Sequence, residues 1–251
     1  SVYYVMNSSQ QHINTILKNI PIFWINLERS ESRRNKMQNI LDKCLLQHTR
    51  IEAIDGNNIC LEEYKEKYNI NEKMNKYEVA CALSHMKTIK YCYDEGLEYA
   101  LVLEDDATFE YFPYKTHTIL ELLDQLKEQQ GETLQLANII NKKVFLTLRF
   151  KTPLLQINNI AGAQSYLITR KGMEKVLHYF EITKNIHVSE FMIFNIAKNY
   201  ITPPYFTYPF LRNENGEKVN VSTIRENTKS AHATQTISKL LWNDYYNKKE
   251  E

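Results

Sequence analysis

Three consecutive carboxylates end the apolar segment 99–103 of this 251-residue chain. The segment is short and flanked by polar residues, which predicts a strand buried on both faces inside a parallel sheet covered by helices. Glu104, Asp105 and Asp106 repel one another unless water, a raised pKa or a bound cation compensates. Because ligands of open α/β sheets lie at the carboxyl ends of the strands, the triplet predicts an oxygen-ligand site for Mg²⁺ or Mn²⁺ that holds a phosphate-bearing substrate. A solvated acidic turn is the alternative.

A second polar cluster follows segment 22–27, which is predicted to be the first strand. Arg29, Arg33 and Arg34 gather there at the start of a predicted helix, for which Ser30 is the expected N-cap. Guanidinium groups and helix amides both donate hydrogen bonds to anions, so the cluster could hold a pyrophosphate. The alternative is a solvated basic face of a surface helix.

Asp55 closes the second predicted strand, 48–54, and precedes Gly56. Its carboxylate could accept a hydrogen bond from a ribose or form an Asx turn. Farther along, Cys81 and His85 lie one turn apart on a predicted helix over 77–95. This spacing could hold zinc, but no second pair of soft ligands accompanies it, so a core thiol beside a hydrogen-bonded imidazole is favoured.

Alternating strand and helix patterns predict an α/β fold. Beyond the triplet, helices are expected over 116–130, 171–180 and 188–197, and strands over 134–140, 144–150 and 160–169. The division is an N-terminal extension over 1–20, one domain over 21–225 and a helical tail over 226–251, whose Trp242, Tyr245 and Tyr246 are expected to dock.

Composition limits the partners. A net charge of +1 gives no global attraction to nucleic acid or an anionic membrane, so anion recognition must be local. The four cysteines lack the spacing of a disulfide scaffold and are expected to be reduced. The sequence shows no membrane-spanning apolar run and no signal peptide. A cytoplasmic location, with or without contact to a membrane face, is therefore expected, or a lumenal one if an upstream signal was removed.

Five motifs occur in a fixed order: Ile25-Asn26-Leu27-x-Arg29-x-x-x-Arg33, Ala53-Ile54-Asp55-Gly56, Ala82-Leu83-Ser84-His85, Leu103-Glu104-Asp105-Asp106-Ala107 and Gly162-x-x-x-Tyr166-x-Ile168-Thr169. Together they resemble glycosyltransferase family 25, which includes bacterial lipooligosaccharide galactosyltransferases and procollagen hydroxylysine galactosyltransferases. The resemblance covers residues 21–225. It implies a GT-A type, Rossmann-like nucleotide-sugar-binding fold with a mostly parallel central sheet flanked by helices.

The resemblance also implies an activity. It is metal-dependent, inverting transfer of a hexose, with galactose favoured, from a UDP-sugar to a hydroxyl of a glycan, glycolipid or hydroxylysine-bearing protein. Asp106 and Glu104 would hold Mn²⁺ or Mg²⁺, which offsets the charge that develops on the leaving nucleoside diphosphate.

The resemblance implies seven donor-binding residues: Asn26, Arg29, Arg33, Asp55, Ser84, His85 and Glu104. Of these, Ser84 and His85 would lie beside the donor sugar or help to shape its pocket. Gly162 and Tyr166 are implied to frame the acceptor or the donor sugar, because an aromatic ring stacks well on a pyranose. A histidine hydrogen-bonded within the helix packing is the alternative for His85.

Glu190 and Asp105 are the predicted catalytic residues. The family's Val-Asp-Glu-Phe segment aligns with residues 188–191, where Ser189 replaces the aspartate. Either Glu190 is the base, or the position is not catalytic, or this chain is impaired; a helix-capping Ser189 with a surface Glu190 is a further alternative. Thr223 also departs from the family pattern, and His232 is a candidate late metal ligand.

Two other classes of protein are alternatives to a glycosyltransferase. A metal-dependent phosphohydrolase could use the same acidic strand end, but it normally recruits a second cluster of carboxylates or histidines, which the sequence lacks. A non-catalytic nucleotide-sugar or glycan-binding protein on the same fold is the second alternative.

Overall fold

A computed structural model of the chain describes residues 4–209 and 229–248, with only the backbone of residues 229–232. The helices within these ranges are α1 (Ser8–Leu17), α2 (Glu31–Lys43), α3 (Leu61–Lys67), α4 (Lys76–Asp94), α5 (Ile119–Glu128), α6 (Lys142–Phe150), α7 (Arg170–Thr183) and α8 (Lys229–Asn247). The strands are β1 (Ile22–Asn26), β2 (His48–Glu52), β3 (Asn69–Ile70), β4 (Tyr99–Glu104), β5 (Thr133–Gln135), β6 (Leu155–Gln156), β7 (Ser165–Thr169), β8 (Asn185–Ile186) and β9 (Asn199–Ile201).

Seven strands form one sheet in the order β2-β1-β4-β7-β5-β9-β6. Strands β2, β1, β4, β5 and β9 run in one direction, and β7 and β6 oppose them. The prediction of an α/β fold with a mostly parallel central sheet and flanking helices is therefore confirmed. The short strands β3 and β8 pair separately and fasten the connection between β2 and α4 to the segment after α7.

The two faces of the sheet explain why β1 and β4 are continuously apolar. On one face Trp24 and Leu103 pack with α1, α2 and α5. On the other face Ile25 and Val102 pack with α4 and α7. Because successive side chains of a strand point to opposite faces, a strand between two helical layers must be apolar at every position. The prediction that segment 99–103 is buried on both faces is confirmed.

The helix α4 shows how a local pattern fixes an element beside the site. Its N-cap, Asn75, accepts hydrogen bonds from the amides of Tyr77 and Glu78, and the Glu78 side chain completes a capping box. The helix ends before Gly96, whose φ of +74° suits glycine. Ser84 and His85 lie on the buried part of its surface.

Segment 144–150 is a helix, and the prediction of a strand there is wrong. Asn141 caps α6 by accepting a hydrogen bond from the Val144 amide. Phe145 and Leu148, three residues apart, are buried, and Phe145 packs edge-on against Trp242 of α8 with ring centroids 4.9 Å apart. Segment 134–140 is also a shorter strand than expected, since β5 covers only its first residues.

Helices α1 and α8 both pack on the rest of the fold. Helix α1 adds Ile13, Ile16 and Leu17 to the core, and α8 adds the buried Trp242 and Tyr246, so the expected docking of the tail aromatics is confirmed for these two residues. Among the described residues, every helix is too short or too polar to pass through a lipid bilayer.

Candidate functional site

A cavity of about 210 Å³ opens beside the carboxyl ends of β1 and β4. Eight of the predicted site residues line it: Arg29, Arg33, Ser84, His85, Glu104, Asp105, Asp106 and Glu190. Four predicted site residues are not among those that line the cavity: Asn26, Asp55, Gly162 and Tyr166. The structure therefore gathers most of the predicted site residues around one cavity at the carboxyl ends of the strands.

The topology of the sheet explains the position of the cavity. From β1 the chain moves to β2 on one side, and it later returns to β4 on the other side of β1. Such a switch point leaves a crevice at the carboxyl ends of the central strands, where open α/β sheets bind ligands. Ile25 of β1 lies in register with Glu104 of β4, so the acidic triplet begins at this crevice.

The carboxylate of Asp105 is held from two sides. Asn26 donates its side-chain amide to Oδ2 at 2.6 Å, and Arg33 Nη1 lies 3.4 Å from Oδ1. Burial raises the pKa of Asp105, although the hydrogen bond from Asn26 and the charge of Arg33 oppose the rise. Asn26 is 1% exposed, which does not fit the predicted contact with a donor. Its amide instead fixes the acidic triplet to β1.

Asp106 has a different environment. Gln164 Nε2 donates to its Oδ1 at 3.2 Å and to its backbone carbonyl at the same distance. Burial, and then the carboxylates of Glu104 and Asp105, raise the pKa of Asp106 to about 7. A carboxylate in this position is stabilised by a proton or by a cation. Gln164 is fully buried, and the sequence analysis did not identify it.

Glu104 is the end of a hydrogen-bonded chain. His85 Nε2 lies 2.9 Å from Glu104 Oε1, and His85 Nδ1 lies 2.9 Å from the hydroxyl of Tyr166. Tyr166 is 0% exposed and packs edge-on against Phe194. A stacking role on a sugar does not fit this ring, which lies behind His85. The expectation of a hydrogen-bonded histidine in the helix packing matches the position of His85.

Cys81 joins the same cluster. Its Sγ lies 3.9 Å from Glu104 Oε1 and 3.4 Å from Ser189 Oγ. Cys81, His85 and Glu104 place one ligand atom each within 4.8 Å of one another. Burial raises the pKa of the thiol well above its ordinary value, and the Glu104 carboxylate raises it further. Glu104 thus supplies a third donor atom, which the sequence did not connect with the Cys81–His85 pair.

Two donor sets could therefore hold a metal ion in this cavity. The carboxylates of Asp106 and Glu104 are hard oxygen donors that suit Mn²⁺ or Mg²⁺, and burial, followed by the neighbouring carboxylates, raises the pKa of Asp106. The set of Cys81, His85 and Glu104 has a soft sulfur donor and suits Zn²⁺. The residues present fit the predicted Mn²⁺ or Mg²⁺.

Arg29 and Asp55 form a pair at the rim. Arg29 Nε lies 2.9 Å from Asp55 Oδ2, and the Asn57 amide donates to Asp55 Oδ1 at 2.9 Å, which is the Asx turn among the predicted alternatives. Burial raises the pKa of Asp55, but the bonds from Asn57 and Arg29 outweigh burial and lower it overall. Asp55 therefore orients Arg29, which faces the cavity.

Ser84 joins two elements of the wall. Its hydroxyl donates to the carbonyl of Ala80 at 2.7 Å and accepts from the amide of Ile54 at 2.9 Å. These bonds fasten the end of β2 to α4. Ser84 shapes the pocket, which is one of the two roles that the sequence predicted for it.

Glu190 lies at the start of a short helix whose Phe191–Asn195 turn is π-helical. Its Oε1 accepts from the amide of Gly162 at 3.4 Å. Gly162 has a φ of +122°, and a Cβ there would lie 2.9 Å from the carbonyl oxygen of Ala137. The position requires glycine because of this close approach. Gly162 thus supports Glu190 and does not itself line the cavity.

Several lining residues were missed by the sequence analysis, and three of them come from the C-terminal half of the chain. Ile139, Tyr208 and Gln235 come from the segments after β5 and β9 and from α8. Burial raises the pKa of the Tyr208 hydroxyl, and so do the carboxylates of Glu104, Glu190 and Asp106, in that order. Tyr208 therefore lies in the field of all three carboxylates. Its only sequence signal was an aromatic run after two prolines.

Two predictions fall outside the described part of the chain. The departure at Thr223 lies in residues 210–228, and His232 lies among the helix residues whose side chains are not described. A metal-binding role of His232 stays a prediction.

Comparison with known proteins gives the family. The profile of Glycosyltransferase family 25 (LPS biosynthesis protein) matches residues 19–192. Human procollagen galactosyltransferase 2 is 27% identical over 191 residues, which cover 68% of this chain and 29% of that protein. A Drosophila melanogaster glycosyltransferase 25 family member is 27% identical over 188 residues, covering 68% of this chain and 30% of that protein.

This chain therefore spans less than a third of the length of these relatives. A crystal structure of mouse xyloside xylosyltransferase 1 in the apo form aligns with a TM-score of 0.33 and 10% identity, over 75% of this chain and 74% of that one. That structural likeness is too low to support an argument. The profile match covers more than half of the sequence, and the chain belongs to glycosyltransferase family 25.

Proposed function

We propose that the protein is a metal-dependent, inverting glycosyltransferase that moves a hexose from a UDP-sugar to a hydroxyl acceptor. One observation carries this proposal. The triplet of Glu104, Asp105 and Asp106 ends β4 at the edge of a cavity that Arg29 and Arg33 also line. Galactose is the favoured sugar, because a human relative is named a procollagen galactosyltransferase.

A GT-A type fold is part of the proposal. It is supported by the five strands that run in one direction, by the helical layers on both faces of the sheet and by the cavity at the switch point between β1 and β4. A nucleotide bound there would meet the ends of both strands.

Two arginines would receive the diphosphate of the donor. Arg29 is oriented by Asp55, and Arg33 by Asp105, so both guanidinium groups are held at the cavity before a ligand arrives. Preorganised cations stabilise the charge that develops on the leaving diphosphate at little reorganisation cost. Asn26 contributes indirectly because it fixes Asp105.

Asp106 and Glu104 would hold Mn²⁺ or Mg²⁺. A bound cation supplies charge neutralisation at the leaving diphosphate. Gln164 orients Asp106, and His85 orients Glu104. Hydrogen bonds of this kind fix ligating carboxylates in a single direction.

Glu190 would act as the base that accepts the proton of the acceptor hydroxyl. Its carboxylate faces the cavity and is held by the Gly162 amide, so it has a fixed direction and an open side. Ser189, at the family's aspartate position, is only 4% exposed and contacts Cys81, which supports Glu190 as the base. Asp105 would support the site through Arg33, because both of its oxygens already have partners.

The acceptor would be a hydroxyl of a glycan, a glycolipid or a hydroxylysine-bearing protein, and the reaction would take place in the cytoplasm. Tyr208, Gln235 and Ile139 form the part of the cavity wall that comes from the C-terminal half, and we assign them to the acceptor side. A tyrosine hydroxyl and a side-chain amide suit hydrogen bonding to a sugar.

The test is a panel of UDP-galactose, UDP-glucose, UDP-N-acetylglucosamine and GDP-sugars, each with Mn²⁺ or with a chelator. We expect one UDP-sugar to raise the melting temperature only with Mn²⁺ and to release UDP slowly, and faster once an acceptor is added. Phosphate release that needs no acceptor would indicate a hydrolase. Metal-dependent binding of UDP without any turnover would favour the alternative of a catalytically impaired binding protein.

A further inference from the structure

The solvent side of α6 is basic and apolar. Six exposed residues form this surface, which we call the α6 face: Lys142, Lys143, Leu146, Arg149, Phe150 and Lys151. Residues 141–152 contain no aspartate or glutamate, whereas the whole chain carries 31 basic and 30 acidic residues. The α6 face is thus a local excess of four positive charges in a chain of balanced charge.

Exposed large apolar side chains also lie on α6 and on α8, which packs against it. Nine are found in the described part of the chain, and four of them lie on α6 and α8: Leu146, Phe150, Ile237 and Leu240. Phe150 is 70% exposed and lies one turn after Leu146 on the same side of α6. Arg149 lies over the Phe150 ring at 4.9 Å, so cation and ring are presented together.

Both helices lead away from the cavity. Ile139 and Gln235 line it, α6 begins three residues after Ile139, and Ile237 follows Gln235 by two positions. The Ile140 amide donates to Ser238 Oγ at 3.0 Å, which joins the two segments where they leave the cavity. A surface bound to α6 would therefore lie near the part of the wall that we assign to the acceptor.

We propose that the α6 face docks on an anionic lipid surface. Lysine and arginine are attracted to acidic headgroups, and a phenylalanine and a leucine between them insert at the boundary of headgroups and acyl chains. A helix with cations around a short apolar centre is typical of interfacial binding. Lipid docking concerns the surface to which the protein binds. It does not depend on the proposed reaction, since its test uses no nucleotide or acceptor.

Vesicle co-sedimentation tests the proposal. Phosphatidylcholine vesicles are compared with vesicles of phosphatidylcholine and phosphatidylglycerol, at low and at high salt. We expect binding to the anionic vesicles only, weakened by salt. Each neutralised lysine in the K142Q/K143Q variant should lower the partition coefficient about fivefold. The L146S/F150S variant should lower it by roughly tenfold or more, because it removes the inserted side chains.

Matched variants distinguish an effect specific to the α6 face from a general effect of removing surface charge or an exposed apolar side chain. K65Q/K67Q removes two exposed lysines from α3, where glutamates accompany them, and Ile182→Ser removes a 67% exposed side chain from α7. Both should bind vesicles like the unmodified protein. Equal loss in K65Q/K67Q, equal binding to neutral vesicles or no binding at all would overturn the proposal. So would concentration-dependent dimerisation that L146S/F150S abolishes, because a second copy would then cover the face.

Discussion

The acidic floor of the cavity, formed by Glu104, Asp105 and Asp106, and the α6 face are both rich in charge, but the environments of their charges differ. In the cavity, carboxylates lie close together and their partners come from distant parts of the chain, as Asn26 and Gln164 show. On α6 the charges are exposed and all of one sign. Buried charge is tolerated only with partners, whereas exposed charge needs none. The acidic residues of the cavity are therefore suited to a bound ligand, and the proposed role of the α6 face requires its charges to stay exposed.

The largest effect is expected at the cavity floor. Asp106→Asn keeps the shape of the side chain and removes its charge, so the floor loses its strongest candidate ligand. We expect Mn²⁺-dependent UDP release to fall roughly 10²–10³-fold, as for other preorganised charge-stabilising groups. Asp94→Asn is the control, because Asp94 is an exposed acid on α4 paired with Lys90. Unchanged Mn²⁺-dependent turnover in D106N would contradict the assignment.

The second prediction concerns stability in the presence of a chelator. The pKa of Asp106 is raised from 3.8 to about 7 in the folded chain, so between these values the folded state binds a proton that the unfolded state has released. The free energy of unfolding must then fall as pH rises through this window, by roughly 2–4 kcal/mol in total. Asp55 has a lowered pKa, so it contributes to the free energy of unfolding in the opposite sense. That contribution is lost only as the pH falls below the ordinary pKa range of an aspartate.

Urea denaturation between about pH 5 and pH 8 measures this dependence. Asp106→Asn should flatten the curve, and Mn²⁺ should restore stability at the upper end. A curve for the unmodified protein that rises over the whole window would show that Asp106 does not keep its proton in the folded state, and the contrast with the α6 face would weaken.

The sequence predicted the two regions with unequal success, for a physical reason. A continuous apolar run and a cluster of carboxylates are local signals, so β4 and its acidic end were found. In α6, Val144, Leu146, Leu148 and Phe150 alternate with other residues, which is the period of a strand. The helix is favoured by its Asn141 cap and by the contact of Phe145 with Trp242, and no local pattern contains that contact.

The positions of several residues around the acidic triplet were also not predictable from local sequence. The sequence placed Tyr166 on the cavity wall, but the burial of a residue in β7 depends on which face of the sheet carries α4. Gln164 and Tyr208 had no motif at all. If the α6 face binds lipid, two of the four apolar residues that misled the prediction, Leu146 and Phe150, serve this function, and local rules are expected to fail at functional positions.

The third prediction separates the two sides of α6. Phe145→Ala removes a buried ring from the contact with Trp242 and should lower the free energy of unfolding by about 3 kcal/mol. Phe150→Ala removes an exposed ring and should change it by less than about 0.5 kcal/mol. Urea denaturation of both variants measures the difference. A large loss of stability in Phe150→Ala would show that its ring packs on the protein and is not available to a surface.

The smallest expected effect tests whether Glu104 depends on the buried hydrogen bonds from His85 and Tyr166 behind it. Tyr166→Phe removes only the hydroxyl that contacts His85 Nδ1 and keeps the ring against Phe194. His85 is then less well oriented toward Glu104, and loss of such a supporting contact lowers metal affinity by about tenfold. The concentration of Mn²⁺ that gives half-maximal UDP release should rise by this factor, and saturating Mn²⁺ should restore the rate. Tyr200→Phe, which removes a buried hydroxyl from the carbonyl of Gln129, should leave the Mn²⁺ dependence unchanged. A loss that Mn²⁺ does not restore would mean that Tyr166 supports the packing alone, and that Glu104 is held without it.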